Sequence, residues 1–212
     1  VETSRRNRGQ AVDPVYYEIP VFYFSNTNNF LGPFEKVVSP RKTQKLDFEF
    51  EVGIVLSKTG RDISHDEADK FIFGYTILND WSARDFQLEE MKVGLGPAKG
   101  KDFATSMGPF LVTKDEFEPY RTGSRFDRKT RLTLNGTVLR ENNLLNIHHD
   151  FASMIVRASE DVTLYPGELI GSGTIGGGCL LEYQQNGLPF LKSGDALRME
   201  IEGLGCLESS VL

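Results

Sequence analysis

Polar and apolar residues alternate over residues 46–52. Asp47, Glu49 and Glu51 fall on one face and Phe48, Phe50 and Val52 on the other, the two-residue period of a strand. The run stays apolar to Leu56, so the pattern predicts a strand anchored in a core by its aromatic face. Residues 21–24 are aromatic and β-branched and also predict a strand, followed by a turn-rich Ser-Asn-Thr-Asn-Asn stretch. Residues 75–78 read as a buried strand that ends at Asn79-Asp80. Ser64 and Glu67 have the spacing of a capping box and predict a helix over about residues 65–73. A second helix is expected over residues 146–158, stopped by Glu160-Asp161. Asn135-Gly136 between β-rich flanks predicts a tight hairpin whose two central residues need positive φ. Pro166-Gly167-Glu168-Leu169-Ile170 and Ser193-Gly194-Asp195-Ala196-Leu197 resemble each other as turns entering strands, and residues 197–201 and 206–211 complete the strand set. Residues 1–18 are polar and suggest a mobile segment or a short helix ending at Asp13-Pro14. Many strands and few helices give an α+β class dominated by sheet.

Composition narrows the class further. At 212 residues one large core is expected, and the net charge of −6 without a basic stripe argues against nucleic-acid binding. The uncharged run 19–34 is short for a membrane span and is broken by Pro20 and Pro33. Cys179 and Cys206 alone imply no disulfide framework, and with no secretory signal the expected compartment is the cytoplasm. The chain opens at Val1 without Met in a charged stretch, so upstream residues are expected.

Glu49 and Glu51, two apart on a strand, leave the same face roughly 7 Å apart and can converge on one ion. The bland alternative is a pair of solvated carboxylates. Asp80 at a strand end, Lys101 and Thr105 after a glycine-rich loop, and the glycine run 171–178 favour a pocket over a solvated face. His65, His148 and His149 carry no metal spacing, Trp81 reads as a packing residue, and Cys179 has no partner placed to activate it. Arg5, Arg6 and Arg8 read as a solvated face, with attraction of an anionic substrate as the functional option.

The series FEFEVGIVL, GYTILNDWSARDFQ, GKDFATSMGP and GSGTIGGG resembles the fumarylacetoacetate hydrolase family, and the motifs run from Pro20 to the C-terminus. The resemblance implies a mixed β-sandwich roll, a homodimer, and an Mg²⁺ site that Mn²⁺ or Ca²⁺ can also fill. It divides the chain into an N-terminal lid or linker over residues 1–18 and a catalytic domain over residues 19–212. Carried over residue by residue, Glu49, Glu51 and Asp80 resemble the metal carboxylates, and Lys101 and Thr105 the residues beside the metal. Arg84, Gln87, Thr174 and, more loosely, Tyr23 resemble substrate contacts. Glu182 resembles the glutamate that orients the attacking water, and its partner, a His on the lid, is expected upstream of Val1. The implied reaction is metal-dependent C–C hydrolysis of a 1,3-diketo acid, of acylpyruvate or fumarylpyruvate type, through a metal-stabilised enolate, in aromatic catabolism. The same residues also suit decarboxylation or tautomerisation of oxaloacetate or another 2-oxo acid. A non-catalytic β-rich binding module is the third option.

Overall fold

The alternating stretch becomes two strands, Leu46–Asp47 and Phe50–Leu56. The break between them has a local cause: the Phe48 amide donates to Asp47 Oδ1 at 2.8 Å and the Glu49 amide to Asn79 Oδ1 at 3.1 Å, so side chains take donors that a continuous ladder would use. The computed structural model describes residues 1–7 and 9–212; Arg8, one of the N-terminal arginines, lies outside the described residues.

Two five-stranded sheets form the body. The first runs in the order Phe30–Leu31, Thr105–Thr113, Ile72–Asp80, Phe50–Leu56, Leu169–Gly171; only the pairing of Phe30–Leu31 with Thr105–Thr113 is parallel. The second runs Thr137–Asn143, Lys129–Leu134, Ala196–Ile201, Gly205–Val211, Lys36–Val37, and again one edge pairing is parallel. Gly205–Val211 packs on Thr105–Thr113 and Ile72–Asp80, joining the sheets face to face. Between them lies the apolar core, in which Tyr75 sits 5.0 Å from the rings of both Phe117 and Phe126 and 5.7 Å from that of Phe151. The fold is a β-dominated α+β roll, as expected.

Local signals hold where the cause is local. Asn135 (φ 49°) and Gly136 (φ 79°) form the hairpin turn joining Lys129–Leu134 to Thr137–Asn143. Other expectations need correction. Residues 21–24 form no strand; Val21, Phe22 and Phe24 are exposed, and the first strand of that sheet is the later Phe30–Leu31. The predicted 65–73 helix is an α-turn, His65–Ala68, followed by a 3₁₀ turn, Asp69–Phe71, and the Ser64 side chain makes no capping bond. The strand Ile72–Asp80 then claims the remaining residues. The predicted 146–158 helix starts late, as Phe151–Ser159, because Asp150 caps it by accepting the Ser153 amide at 2.8 Å. At the N-terminus there are two short helices, Glu2–Asn7 and Val15–Glu18, and Pro14 opens the second instead of ending the first.

Candidate functional site

The strand Phe50–Leu56 is buried on both faces, so its acidic side is not a solvated face. Pairing of Phe50 with Asn79 and Glu51 with Leu78 sets this strand beside Ile72–Asp80, and the Asp80 amide donates to the Glu49 carbonyl at 3.0 Å. This register brings Glu49, Glu51 and Asp80 together: one carboxylate oxygen from each lies within 4.8 Å of the others. The glycine run closes the floor. A Cβ on Gly171 would stand 2.6 Å from Glu51 Oε2, and the Gly173 amide donates to that same oxygen at 3.0 Å. Only glycine admits so close an approach.

Two cations frame the cluster. Lys101, itself buried, reaches Glu49 Oε2 at 2.8 Å and Asp80 Oδ2 at 2.7 Å. Arg84 donates from Nε to Asp47 Oδ2 and from Nη1 to Glu49 Oε1, both at 2.7 Å, and from Nη1 to Gln87 Oε1 at 2.9 Å. Tyr23, partly exposed, donates its hydroxyl to Asp80 Oδ2. The irregular course of residues 21–24 thus delivers the phenol to the pocket, which a paired strand was not needed to do.

Charge states follow from these contacts. Burial pushes Glu49 up, but Lys101 and Arg84 outweigh it and hold the carboxyl down to about 2. Glu51 is pushed well above the usual carboxylate range by burial and by the charges of Glu49 and Asp80. Asp80 is raised by burial, with Lys101 opposing. Burial opposes the charge on Lys101, yet Asp80 and Glu49 keep its ammonium above the ordinary lysine value.

The donor set fits a hard divalent cation. All three converging groups are carboxylates, Glu51 makes no ion pair among the described residues, and Asp80 Oδ1 is buried without a hydrogen-bond partner. With Asp47 included, four buried or nearly buried acid groups face Arg84 and Lys101, which amounts to two negative charges in excess once all four are ionised around a cation. Arg84 Nη2 is also buried without a partner among the described residues, a guanidinium donor left over for a ligand.

The other expected site residues stand at different removes from this centre. Thr105 sits opposite Asp80 in the ladder, and Thr174 follows Gly173 at the rim, half-buried. Glu182 is carried by the 3₁₀ segment Leu180–Asn186, where its side chain accepts the Gly177 amide; burial raises its carboxyl above the ordinary value. No hydrogen bond joins Glu182 to the triad among the described residues, and the link runs through Asp47, which accepts the amides of Leu180 and Leu181. Asp47 was visible in the alternating pattern but carried no assigned role. His148 and His149 donate from Nε2 to the carbonyls of Tyr17 and Tyr16 and so pin the N-terminal segment. Trp81 is fully buried and donates to Ser106 Oγ at 2.8 Å, and the buried Cys179 thiol is pushed up by burial.

A sheet-rich α+β body with an oxygen-donor pocket built into one of its two mixed sheets defines the class. The chain belongs to the fumarylacetoacetate hydrolase family: the profile described as Fumarylacetoacetate (FAA) hydrolase C-terminal matches residues 2–212. It is 33% identical over 192 residues to a 2,4-didehydro-3-deoxy-L-rhamnonate hydrolase of a Sphingomonas species, covering 91% of this chain and 65% of that protein. It is 30% identical over 196 residues to the mitochondrial oxaloacetate tautomerase Fahd2a of Rattus norvegicus, covering 91% of this chain and 59% of the relative. Among solved structures, a fumarylacetoacetate hydrolase from psychrophilic Exiguobacterium antarcticum superposes with a TM-score of 0.78 at 29% identity, over 90% of this chain and 65% of that one. The chain thus spans less than two thirds of the length of these relatives. No helix among the described residues is long and apolar enough to cross a membrane.

Proposed function

We propose that the chain is a divalent-metal-dependent hydrolase that cleaves a C–C bond in a 1,3-diketo acid, with Mg²⁺ as the physiological ion and Mn²⁺ or Ca²⁺ as substitutes. The observation that carries this is the convergence of Glu49, Glu51 and Asp80, with Glu51 in no ion pair and Asp80 Oδ1 in no hydrogen bond among the described residues. An ion held by these carboxylates supplies Lewis-acid polarisation of a substrate's oxo oxygens. Arg84 offers its unspent Nη2 to an anionic substrate, and Gln87, hydrogen-bonded to Arg84, keeps that guanidinium oriented. Thr174 binds the substrate carboxylate at the rim, and Thr105 lines the pocket beside Asp80. Lys101 places a fixed positive charge where the departing fragment gains enolate character. Glu182, raised by burial, accepts a proton from the attacking water. Tyr23 donates its hydroxyl to Asp80 Oδ2 and contacts substrate from the exposed side. The helix Glu2–Asn7 packs against the Glu182 segment, with Asn7 Nδ2 donating to the Glu182 carbonyl at 3.1 Å, which supports a lid role for residues 1–18. Exposed Phe22, Phe24, Phe34 and Phe110 support the homodimer.

A second reading, tautomerisation of oxaloacetate or another 2-oxo acid, is favoured by the similarity to the oxaloacetate tautomerase. It needs the ion pocket and Lys101 but not Glu182. The test is to follow loss of enol absorbance with an acylpyruvate and with oxaloacetate while titrating Mg²⁺ or Mn²⁺. Release of pyruvate from the acylpyruvate supports hydrolysis, and enol–keto exchange of oxaloacetate without cleavage supports the second reading. No turnover of either with any of the ions would leave a binding module and overturn both.

A further inference from the structure

We propose that Asp47 is a positioning residue which, through Arg84, sets the charge of the carboxylate pocket at the value a divalent ion requires; this rests on the reading of Glu49, Glu51 and Asp80 as the ion's ligands. Asp47 is fully buried and its carboxylate is saturated. Oδ2 accepts Arg84 Nε at 2.7 Å and the Leu181 amide at 3.2 Å, while Oδ1 accepts the amides of Phe48 at 2.8 Å and Leu180 at 2.7 Å. With its lone pairs spent on these donors, Asp47 is not a further ligand.

Its effect passes through the guanidinium. Arg84 is shared, Nε on Asp47 and Nη1 on Glu49, so Asp47 answers a charge that would otherwise bear on Glu49 alone. With Asp47 present, four carboxylates against Arg84 and Lys101 leave two negative charges for the ion to neutralise. Remove the Asp47 charge and half of that excess disappears, while Arg84 competes with the ion for Glu49. In a buried site this competition is barely screened. The same carboxylate receives the first amides of the segment bearing Glu182, so the pocket's charge balance and the placement of Glu182 depend on one side chain.

The test is calorimetric titration of the full chain with Mn²⁺, the fold of each variant being checked by circular dichroism. Asp47→Asn is expected to bind Mn²⁺ about 10–100-fold more weakly than wild type, the range for partners behind metal ligands. Asp47→Asn combined with Arg84→Gln restores the charge count and is expected to recover most of that loss. A purely structural role would leave the double variant as weak as the single one. Asp47→Asn binding like wild type, or a double variant no tighter than Asp47→Asn, would overturn the proposal. Should Asp47→Asn fail to fold, Arg84→Gln alone, which leaves the Asp47 charge in place and frees Glu49, is expected to bind Mn²⁺ at least about tenfold more tightly than wild type, and equal or weaker affinity would overturn it. Wild type that takes up no Mn²⁺ would overturn the reading of the pocket together with this inference. Wild type that binds Mn²⁺ beside an unaffected Asp47→Asn would overturn this inference alone.

Discussion

The same chemical contact stands in opposite settings on the second sheet and in the pocket beside the first. On the second sheet, Arg131 meets Glu141 at 2.8 Å and Arg198 meets Glu208 at 2.6 Å, all four side chains more than two fifths exposed. At the edge of the first, where the helix Arg84–Glu90 meets the short strand Leu46–Asp47, Arg84 meets Asp47 and Glu49 at 2.7 Å with its own side chain 2% exposed. The distances are alike, so distance does not separate the two. Water does: on the open face it screens each charge and competes for each donor, whereas in the pocket a charge without a partner has nowhere to turn. The second sheet is therefore a scaffold that tolerates loss of its ion pairs. The pocket beside the first gathers acid groups that repel one another's charge and hold Glu51 well above the usual carboxylate range, an arrangement that costs stability unless a cation occupies it.

The largest effect is expected from Glu51→Gln, which removes a charge from the pocket at nearly constant shape. Mn²⁺ affinity should fall by more than about 100-fold, beyond the 10–100-fold typical of partners behind the ligands. Metal-dependent turnover should vanish with it. Retained affinity would show that the carboxylates converge for a reason other than an ion. The ion should also stabilise the wild-type fold: at a concentration of about 100 times Kd, linkage gives about 2.7 kcal/mol. For a chain of this size that is a rise in Tm of about 5–10 °C, removed by a chelator and absent in Glu51→Gln. Next comes Arg84→Ala, which strands Asp47 in the interior and is expected to cost about 3–5 kcal/mol, measured by denaturant unfolding with chelator present.

How much of this contrast could be read from the chain depends on how far each cause reaches. Glu49, Glu51 and their aromatic alternates were legible because a strand's period is set by its own residues, and Asn135-Gly136 because a turn's φ requirement is local. Asp80 and Lys101 were legible through their motifs, but only the ladder register brings them to Glu49. Asp47 shows why the pattern runs out. It shares a face with the two glutamates in sequence, yet its partners are Arg84 and the amides of Leu180 and Leu181, and no short-range signal announces them. Residues 21–24 fail in the opposite way: their strand propensity is real, but no neighbouring strand takes up their backbone, and the Tyr23 hydroxyl finds Asp80 instead. The parallel edge pairings, Phe30 with Thr105 and Lys36 with Ser210, likewise join residues too distant for any local rule.

Asp150 stands between the extremes, with a side chain 13% exposed. Burial pushes its carboxyl up, but the Ser153 hydroxyl and amide outweigh this and leave it below the ordinary value. A carboxyl lowered on folding adds stability that is present above its unfolded value and lost as pH falls through the lower folded value. Asp150→Ala should therefore cost about 1 kcal/mol at neutral pH, with the difference from wild type shrinking in acid. A difference that grew in acid would place the carboxyl's shift in the wrong direction.

The smallest effect is expected on the open face, and it is the sharpest check on the comparison. Arg131 donates to Glu141 from both Nε and Nη2, each to the same oxygen, Oε1. Even so, both side chains are more than half exposed, and ordering two long side chains in water offsets most of the attraction. A double-mutant cycle of Arg131→Ala and Glu141→Ala should give a coupling of about 0.2–1 kcal/mol that shrinks further in 1 M salt. The corresponding cycle on Arg84 and Asp47 should give several times more and respond weakly to salt, because that pair is out of reach of the solvent. Equal couplings in the two cycles would mean that the pocket is wetter than its burial shows, and the argument that its negative excess calls for a cation would fail with it.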